Sequence, residues 1–305
     1  MSLSISVLIP VYNSEDSLEE LYSRIKKVLE NSGADFEVIM VDDYSTDSSY
    51  QIMRSLRSRD DRVRIIRLAA NVGQHNATFC GLHYCKADYI VTLDDDLQNP
   101  PEEIPRLIAK ITEGYDVVFG VPRQKQHSIF RNWGSAIINS CLSMIYHKPR
   151  NIRSSSYRIL RKHIVEKILS RPRYDIFMAA LILENTSNIG NLLVKHDKRK
   201  YGKTNYSLKK SLKLTGQLLI DYSYLPIKIM AVFWLSFFVL AILFALILWI
   251  YAPCNGKIFQ RLMAVFILFI SGLNTISFFL LTKYIQSFAK EPAVQELYEI
   301  AEIEI

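Results

Sequence analysis

Two uncharged stretches near the C-terminus limit this chain more than any other feature. Ile229–Tyr251 runs for 23 residues and Leu262–Thr282 for 21 without a Lys, Arg, Asp or Glu, and ten residues separate them. A helix rises about 1.5 Å per residue, so either run can cross a hydrocarbon core of about 30 Å. The alternative is a helical hairpin buried in a large soluble core, where two uncharged runs of this length are rare. Trp234, Trp249, Tyr251 and Tyr284 stand near the run ends, as an aromatic belt would. The pair reads as a membrane hairpin.

Basic residues set its orientation. Between 195 and 213 stand Lys195, Lys198, Arg199, Lys200, Lys203, Lys209, Lys210 and Lys213 against a single acid, Asp197, whereas the loop between the runs offers only Lys257 and Arg261. By the positive-inside rule the N-terminal region and the C-terminus are expected on the cytoplasmic side of a bacterial-type inner membrane. Residues 207–228 have an amphipathic cast, with Leu208, Leu212, Leu214, Leu218, Leu219 and Tyr222 among the lysines. Such a segment can lie in the membrane interface or pack as a solvated basic helix, and both readings stay open. The region from 285 to 305 carries Glu291, Glu296, Glu299, Glu302 and Glu304 and is expected as an acidic cytoplasmic tail, either solvated or a helix on a neighbour's basic patch.

Residues 1–206 read as a folded domain. Half of the chain is hydrophobic and only 22% is charged, which excludes a disordered chain. The four cysteines have no metal-binding spacing, so neither a disulfide framework nor a structural zinc is expected. Nothing points to nucleic acid, despite a formal net charge of +7. The N-terminal run Ile5–Val11 is too short and too rich in β-formers for a signal peptide and reads as a buried strand. Further strands are expected at Phe36–Val41, 63–68, Tyr89–Leu93 and Val117–Gly120. Helices are expected at 15–31, around 48–58, at Ala77–Cys85 and after Pro100-Pro101. This alternation implies a doubly wound, largely parallel sheet, with ligands outside the carboxyl ends of its strands. The acids at 42–43 and 94–96 should face one crevice there.

Asp94-Asp95-Asp96 carries the sharpest chemistry. Along an extended segment Asp94 and Asp96 point one way and Asp95 the other. Two carboxylates on one side invite a hard cation, Mg²⁺ or Mn²⁺, with Gln98 a further oxygen donor. An Asp-rich turn or cap is the plainer reading. Asp42-Asp43 can accept from a base or ribose hydroxyl, or serve as turn chemistry. Gly73-Gln74-His75-Asn76 opens a helix whose N–H groups can meet an anion, although His75 also suits a cap or packing role. Arg123, Arg131 and Ser135 follow, and Arg199, Gly202, Lys203 and Thr204 stand just before the apolar runs, where cations suit a phosphate presented from a bilayer.

These stretches bring out a resemblance. Val7–Asn13, Val41–Asp47, Asn71–Ala77, Leu93–Pro105 and Arg199–Tyr206 are similar to the family 2 glycosyltransferases of GT-A fold. Within them the chain resembles the polyprenyl-phosphate glycosyltransferases: the dolichol-phosphate mannose synthases, the bactoprenol glucosyltransferases and especially the undecaprenyl-phosphate formamido-arabinose transferases. The likeness spans roughly residues 4–285. It implies a GT-A (Rossmann-like) α/β catalytic domain, followed by interfacial helices and the two-helix hairpin. It also implies inverting, metal-dependent transfer of one sugar from a nucleotide-sugar, UDP favoured, to undecaprenyl phosphate or a similar lipid. Pro10, Tyr12, Asp42, Asp43 and Gln74 would contact the donor. Asp94, Asp96 and Gln98 would hold Mg²⁺ or Mn²⁺, and Arg123, Arg131, Ser135, Arg199 and Lys203 would bind donor or lipid phosphates. A homo-tetramer is implied in the same way.

There is one departure with consequences. Many relatives carry an acid in an Asp-Phe-Arg-Leu stretch, where this chain has Ser155-Ser156-Tyr157-Arg158, so no general base transfers to that position. The chemistry does not require one. A lipid phosphate monoester has a second pKa near about 6 and is already a nucleophile at neutral pH. Two other readings stay open: transfer to a lipid-linked saccharide, and a non-catalytic scaffold that binds nucleotide-sugars or recruits a flippase.

Overall fold

The computed structural model describes residues 3–123, 152–170, 176–197, 200, 225–251, 256–288 and 298–305. The chain divides into two compact units, one of residues 1–211 with 292–305 and one of residues 212–291.

The first unit is built on β1 (Ser4–Val11), β2 (Asp35–Asp42), β3 (Val63–Leu68), β4 (Tyr89–Thr92) and β5 (Val117–Pro122), followed by β6 (Arg158–Arg161), β7 (Ile189–Val194) and β8 (Ile300–Glu304). They form one sheet in the order β7-β5-β6-β4-β1-β2-β3-β8. β1 pairs in parallel with both β2 and β4, β2 with β3, and β5 with β7. β6 runs antiparallel to β4 and β5, and β8 antiparallel to β3. From Ile5 onward β1 is buried on both faces, which is why it reads as an unbroken apolar run.

The helices cover the sheet by their apolar stripes. α1 (Leu18–Ser32) buries Leu18, Leu21, Tyr22, Ile25 and Leu29 and stops at Gly33, whose left-handed φ of 67° lets its N–H reach the Glu30 carbonyl. α2 (Ser49–Arg59) and α3 (Gln74–Leu82) follow. A 3₁₀ turn at Pro101–Glu103 leads into α4 (Ile104–Ile111), as the Pro-Pro-Glu-Glu start implies. α5 (Lys162–Leu169) and α6 (Met178–Asn185) were not legible as elements beforehand. Close packing of α3 on the sheet depends on Gly81, where an added Cβ would collide with the side chains of Leu8 and Val41.

The acidic C-terminus corrects the expectation of a solvated tail or helix. Ile300–Glu304 adds a strand to the free edge of β3, with Ile66 opposite Ile303 and Arg67 opposite Glu302. Tyr50 donates to Glu302 at 2.7 Å, and Glu304 pairs with Arg54 at 3.1 Å. The carboxylates are thus neutralised by the basic edge they cover.

The second unit contains α7 (Leu225–Tyr251) and α8 (Gly256–Phe288), both extending beyond the expected spans. They pack through Phe237 on Phe269 and Phe244 on Phe266, and Trp234 donates to Ser277 at 3.0 Å. Among the described residues no helix is long and apolar enough to cross a membrane. Residues 207–224 of the expected interfacial segment lie outside the described residues.

Candidate active site

The loops leaving β1, β2 and β4 at their carboxyl ends share a feature. Asn13, Tyr44 and Leu97 hold φ values of 51°, 61° and 60°, in the left-handed region that side chains other than glycine seldom enter. Strain of this kind persists where surrounding contacts fix the backbone, and active sites are where it collects. Hydrogen bonds fix it here. Ser45 Oγ accepts from the Asn13 N–H at 3.0 Å, and Asn13 Oδ1 accepts from the Thr46 N–H at 2.8 Å.

Asp94 follows β4 and is held through both carboxylate oxygens. Gln74 at the start of α3 donates to Oδ1, while the Ser156 hydroxyl donates to Oδ2 at 2.5 Å and the Asn99 amide at 3.4 Å. Burial raises the Asp94 pKa and the neighbouring Asp96 charge adds to that, while Ser156 and the Arg158 guanidinium oppose it. Asp95 turns towards the β1–α1 loop, where it accepts from the Tyr12 N–H at 3.0 Å and the Ser14 hydroxyl at 2.5 Å. Burial pushes its carboxyl up to about 6. Asp96 Oδ1 accepts from the Gln98 N–H at 3.1 Å, and the Gln98 carbonyl accepts from the Asp197 N–H at 2.8 Å. Gln98 therefore joins the site through its main chain.

No group of three or more His, Cys, Asp and Glu side chains converges among the described residues. The pair Asp94 and Asp96 still fits a hard divalent cation. It offers carboxylate oxygens at the mouth of the sheet, and such ions complete their shell with water and substrate oxygens.

Asp42 and Asp43 differ from the donor contacts expected of them. Asp42 is fully buried, accepts from the Ser45 N–H at 3.1 Å and pairs with Arg67 at 3.3 Å. Asp43 is also buried, and its two oxygens accept from the N–H groups of Val72 and Gly73 at 2.8 and 2.9 Å. Both carboxylates brace the loops at the end of β2, the turn role left open for them. Tyr12 lies open, at 43% exposure, next to the buried end of β1 that contains Pro10.

The family model for glycosyl transferase family 2 matches residues 6–169, from β1 through α5. The chain belongs to glycosyl transferase family 2. Among its relatives is an undecaprenyl-phosphate 4-deoxy-4-formamido-L-arabinose transferase of Pseudomonas fluorescens, 35% identical over 80% of this chain and 72% of the relative. A protein of the same description from Yersinia enterocolitica is 32% identical over 98% of this chain and 93% of its own. Among solved structures, glucosyl-3-phosphoglycerate synthase of Mycobacterium tuberculosis, crystallised with Mn²⁺ and uridine diphosphate, superposes with a TM-score of 0.53. It is 17% identical and covers 72% of this chain and 78% of that one. That likeness establishes the GT-A fold.

The chain is thus a glycosyltransferase, and the rest of its site can be placed accordingly. Arg123 follows β5, and its guanidinium donates to the Leu193 carbonyl at 3.4 Å. Arg131, Ser135, Arg199 and Lys203 lie outside the described residues. His75 packs edge-on against Phe177 at 5.0 Å, and burial lowers its pKa to about 4, so it is a neutral packing residue at physiological pH. Sequence reasoning missed Ser156, Asn99 and Arg158 as neighbours of Asp94. The available signal was an arginine inside the apolar run Tyr157–Leu160, which a strand tolerates only with a polar partner.

Proposed function

We propose that this family 2 glycosyltransferase moves one sugar from a nucleotide-sugar, UDP favoured, to undecaprenyl phosphate or a similar polyprenyl phosphate, with inversion at the anomeric carbon. One observation carries the reading: a half-buried Asp94, gripped at both oxygens beside Asp96 where β4 ends, in a chain similar along nearly its whole length to undecaprenyl-phosphate transferases. Asp94 and Asp96 would hold Mg²⁺ or Mn²⁺, which when bound neutralises a diphosphate leaving group. Tyr12, open at the end of β1, supplies an aromatic face to the donor, and Arg123, Arg131, Arg199 and Lys203 offset the repulsion between two anionic reactants. The acceptor oxygen is largely ionised at pH 7, so the chain's task is alignment more than proton removal.

The reading takes residues 1–206 as the catalytic domain and 229–284 as a membrane hairpin, with the catalytic domain and both termini on the cytoplasmic side. What supports the hairpin is the sequence, whose stretches Ile229–Tyr251 and Leu262–Thr282 carry no Lys, Arg, Asp or Glu. The test is transfer of labelled sugar into the lipid phase by detergent-purified protein, given Mg²⁺ or Mn²⁺, undecaprenyl phosphate and a panel of labelled UDP- and GDP-sugars. Metal-dependent lipid label from one donor is expected. Nucleotide release without lipid label would point to another acceptor, and silence in both across the panel would overturn the reading.

A further inference from the structure

β6 runs against β4 with Thr92 opposite Arg158. Continuing that register brings Ser156 opposite Asp94, and the pairing is pinned at this end. Thr92 Oγ1 donates to the Ser156 carbonyl at 2.5 Å and accepts from Arg158 Nε at 3.1 Å. A second Arg158 nitrogen donates to the Ser155 carbonyl at 3.4 Å. Arg158 is 4% exposed, and its charge favours the ionised form of Asp94. A hydroxyl has one proton to give, and here it goes to Asp94 Oδ2. Gln74, from the opposite side, takes Oδ1. The carboxylate is therefore fixed in rotation as well as place, by one donor from α3, one from a reversed strand and a longer one from Asn99 at 3.4 Å.

We propose that Ser156 is a positioning residue for glycosyl transfer: its hydroxyl sets the rotamer of Asp94 so that the remaining lone pair faces the site. This rests on the reading of Asp94 as a metal-holding carboxylate given above. A hydrogen bond to a charged group contributes on the order of 1.5–3 kcal/mol, which is roughly a tenfold to hundredfold change in an equilibrium constant. A hydroxyl that merely satisfied a buried group would affect melting and leave ligand affinity alone.

The experiment titrates Mn²⁺ onto the detergent-purified full chain and follows free Mn²⁺ by electron paramagnetic resonance, without donor or acceptor. Thermal melts run alongside. Ser156→Ala is expected to weaken Mn²⁺ binding at least about tenfold, with Ser156→Thr restoring most of it. In the transfer assay the alanine variant should raise KM for the donor and lower kcat, while the threonine variant stays near wild type. Equal Mn²⁺ affinity in wild type and Ser156→Ala, both folded, overturns the role given to Ser156. If Ser156→Ala fails to fold, threonine decides: a folded Ser156→Thr with no gain over Ser156→Val overturns it equally. A wild-type chain that binds no Mn²⁺ overturns the metal reading itself.

Discussion

The residues around Asp94 argue against treating an acidic triplet as three equivalent ligands. Asp94 meets α3 and β6, whereas Asp95 is spent on the β1–α1 loop. Asp94→Ala is therefore expected to abolish transfer in a protein that still melts cooperatively. Wild-type turnover in that variant would remove Asp94 from the chemistry. Asp95→Ala should instead loosen Tyr12 and Ser14, lowering the melting temperature and raising KM for the donor. Asp94 stood out in the sequence because acids cluster where a strand ends. Ser156 did not, because only strand register brings it there from 62 positions away. For Asp43 the two readings, ribose acceptor and turn residue, were indistinguishable in the sequence, because its two backbone N–H partners sit in a loop 29 residues on. Away from the site, Asp60 shows what pH does to the fold. Arg62 at 2.7 Å and Lys26 at 2.8 Å hold its carboxyl well below the usual range. A depressed folded pKa adds stability above the unfolded value near about 4, and that stability is lost as pH falls towards the folded value. Asp60→Asn should lower the unfolding free energy by about 1–3 kcal/mol at pH 7, and the gap to wild type should shrink below about pH 4 in denaturant melts.

At the scale of elements, the five forward strands β1–β5 were legible because buried parallel strands read as short apolar runs between helical periods. β6, β7 and β8 were not; β6 and β8 are reversed, whereas β7 runs forward beside β5. β6 contains two arginines in four residues, each satisfied by partners that no local pattern announces. In β8 the alternation Ile300-Ala-Glu-Ile-Glu304 is a strand signal, but its carboxylates suggested a solvated end until Arg54, Arg67 and Tyr50 were found beneath them. This strand seals the edge of β3, which would otherwise present unpaired N–H and C=O groups to other chains. Removing residues 299–305 should lower the melting temperature and promote aggregation, measured by light scattering on heating. Unchanged melting and scattering would show that β8 contributes nothing to the sheet. Gly81→Ala tests the packing of α3 in the same assay. With Leu8 and Val41 in the way of the new methyl, a loss of about 1–3 kcal/mol is expected.

The whole molecule poses a question of solvent. α7 and α8 touch through aromatic side chains, yet Leu235, Phe238, Leu240, Phe278 and Phe279 remain between 62% and 67% exposed. Apolar surface costs about 25 cal/mol for each Å² left in water, so a two-helix hairpin with both faces apolar is unstable there. Monomeric soluble proteins seldom present patches beyond a few hundred Å². Lipid removes that cost, and the Trp234–Ser277 hydrogen bond then satisfies a polar pair that hydrocarbon would penalise. The two solvents make opposite predictions for charge. An Arg at the centre of an inserted helix, as at position 240, costs about 2.5–3.5 kcal/mol, and one nearer an end, as at 278, costs less because it can snorkel. Leu240→Arg combined with Phe278→Arg should therefore shift the protein out of the alkaline-carbonate-resistant membrane fraction, while Leu240→Ala with Phe278→Ala stays in it. If the hairpin instead stands in water, the arginines relieve exposed apolar surface, and the double variant should be the more soluble protein with unchanged fractionation. Because the proposed acceptor is itself a lipid, loss of the membrane fraction should bring loss of transfer to undecaprenyl phosphate in vesicles. The Mn²⁺ binding proposed for Asp94 and its neighbours in the first unit should survive.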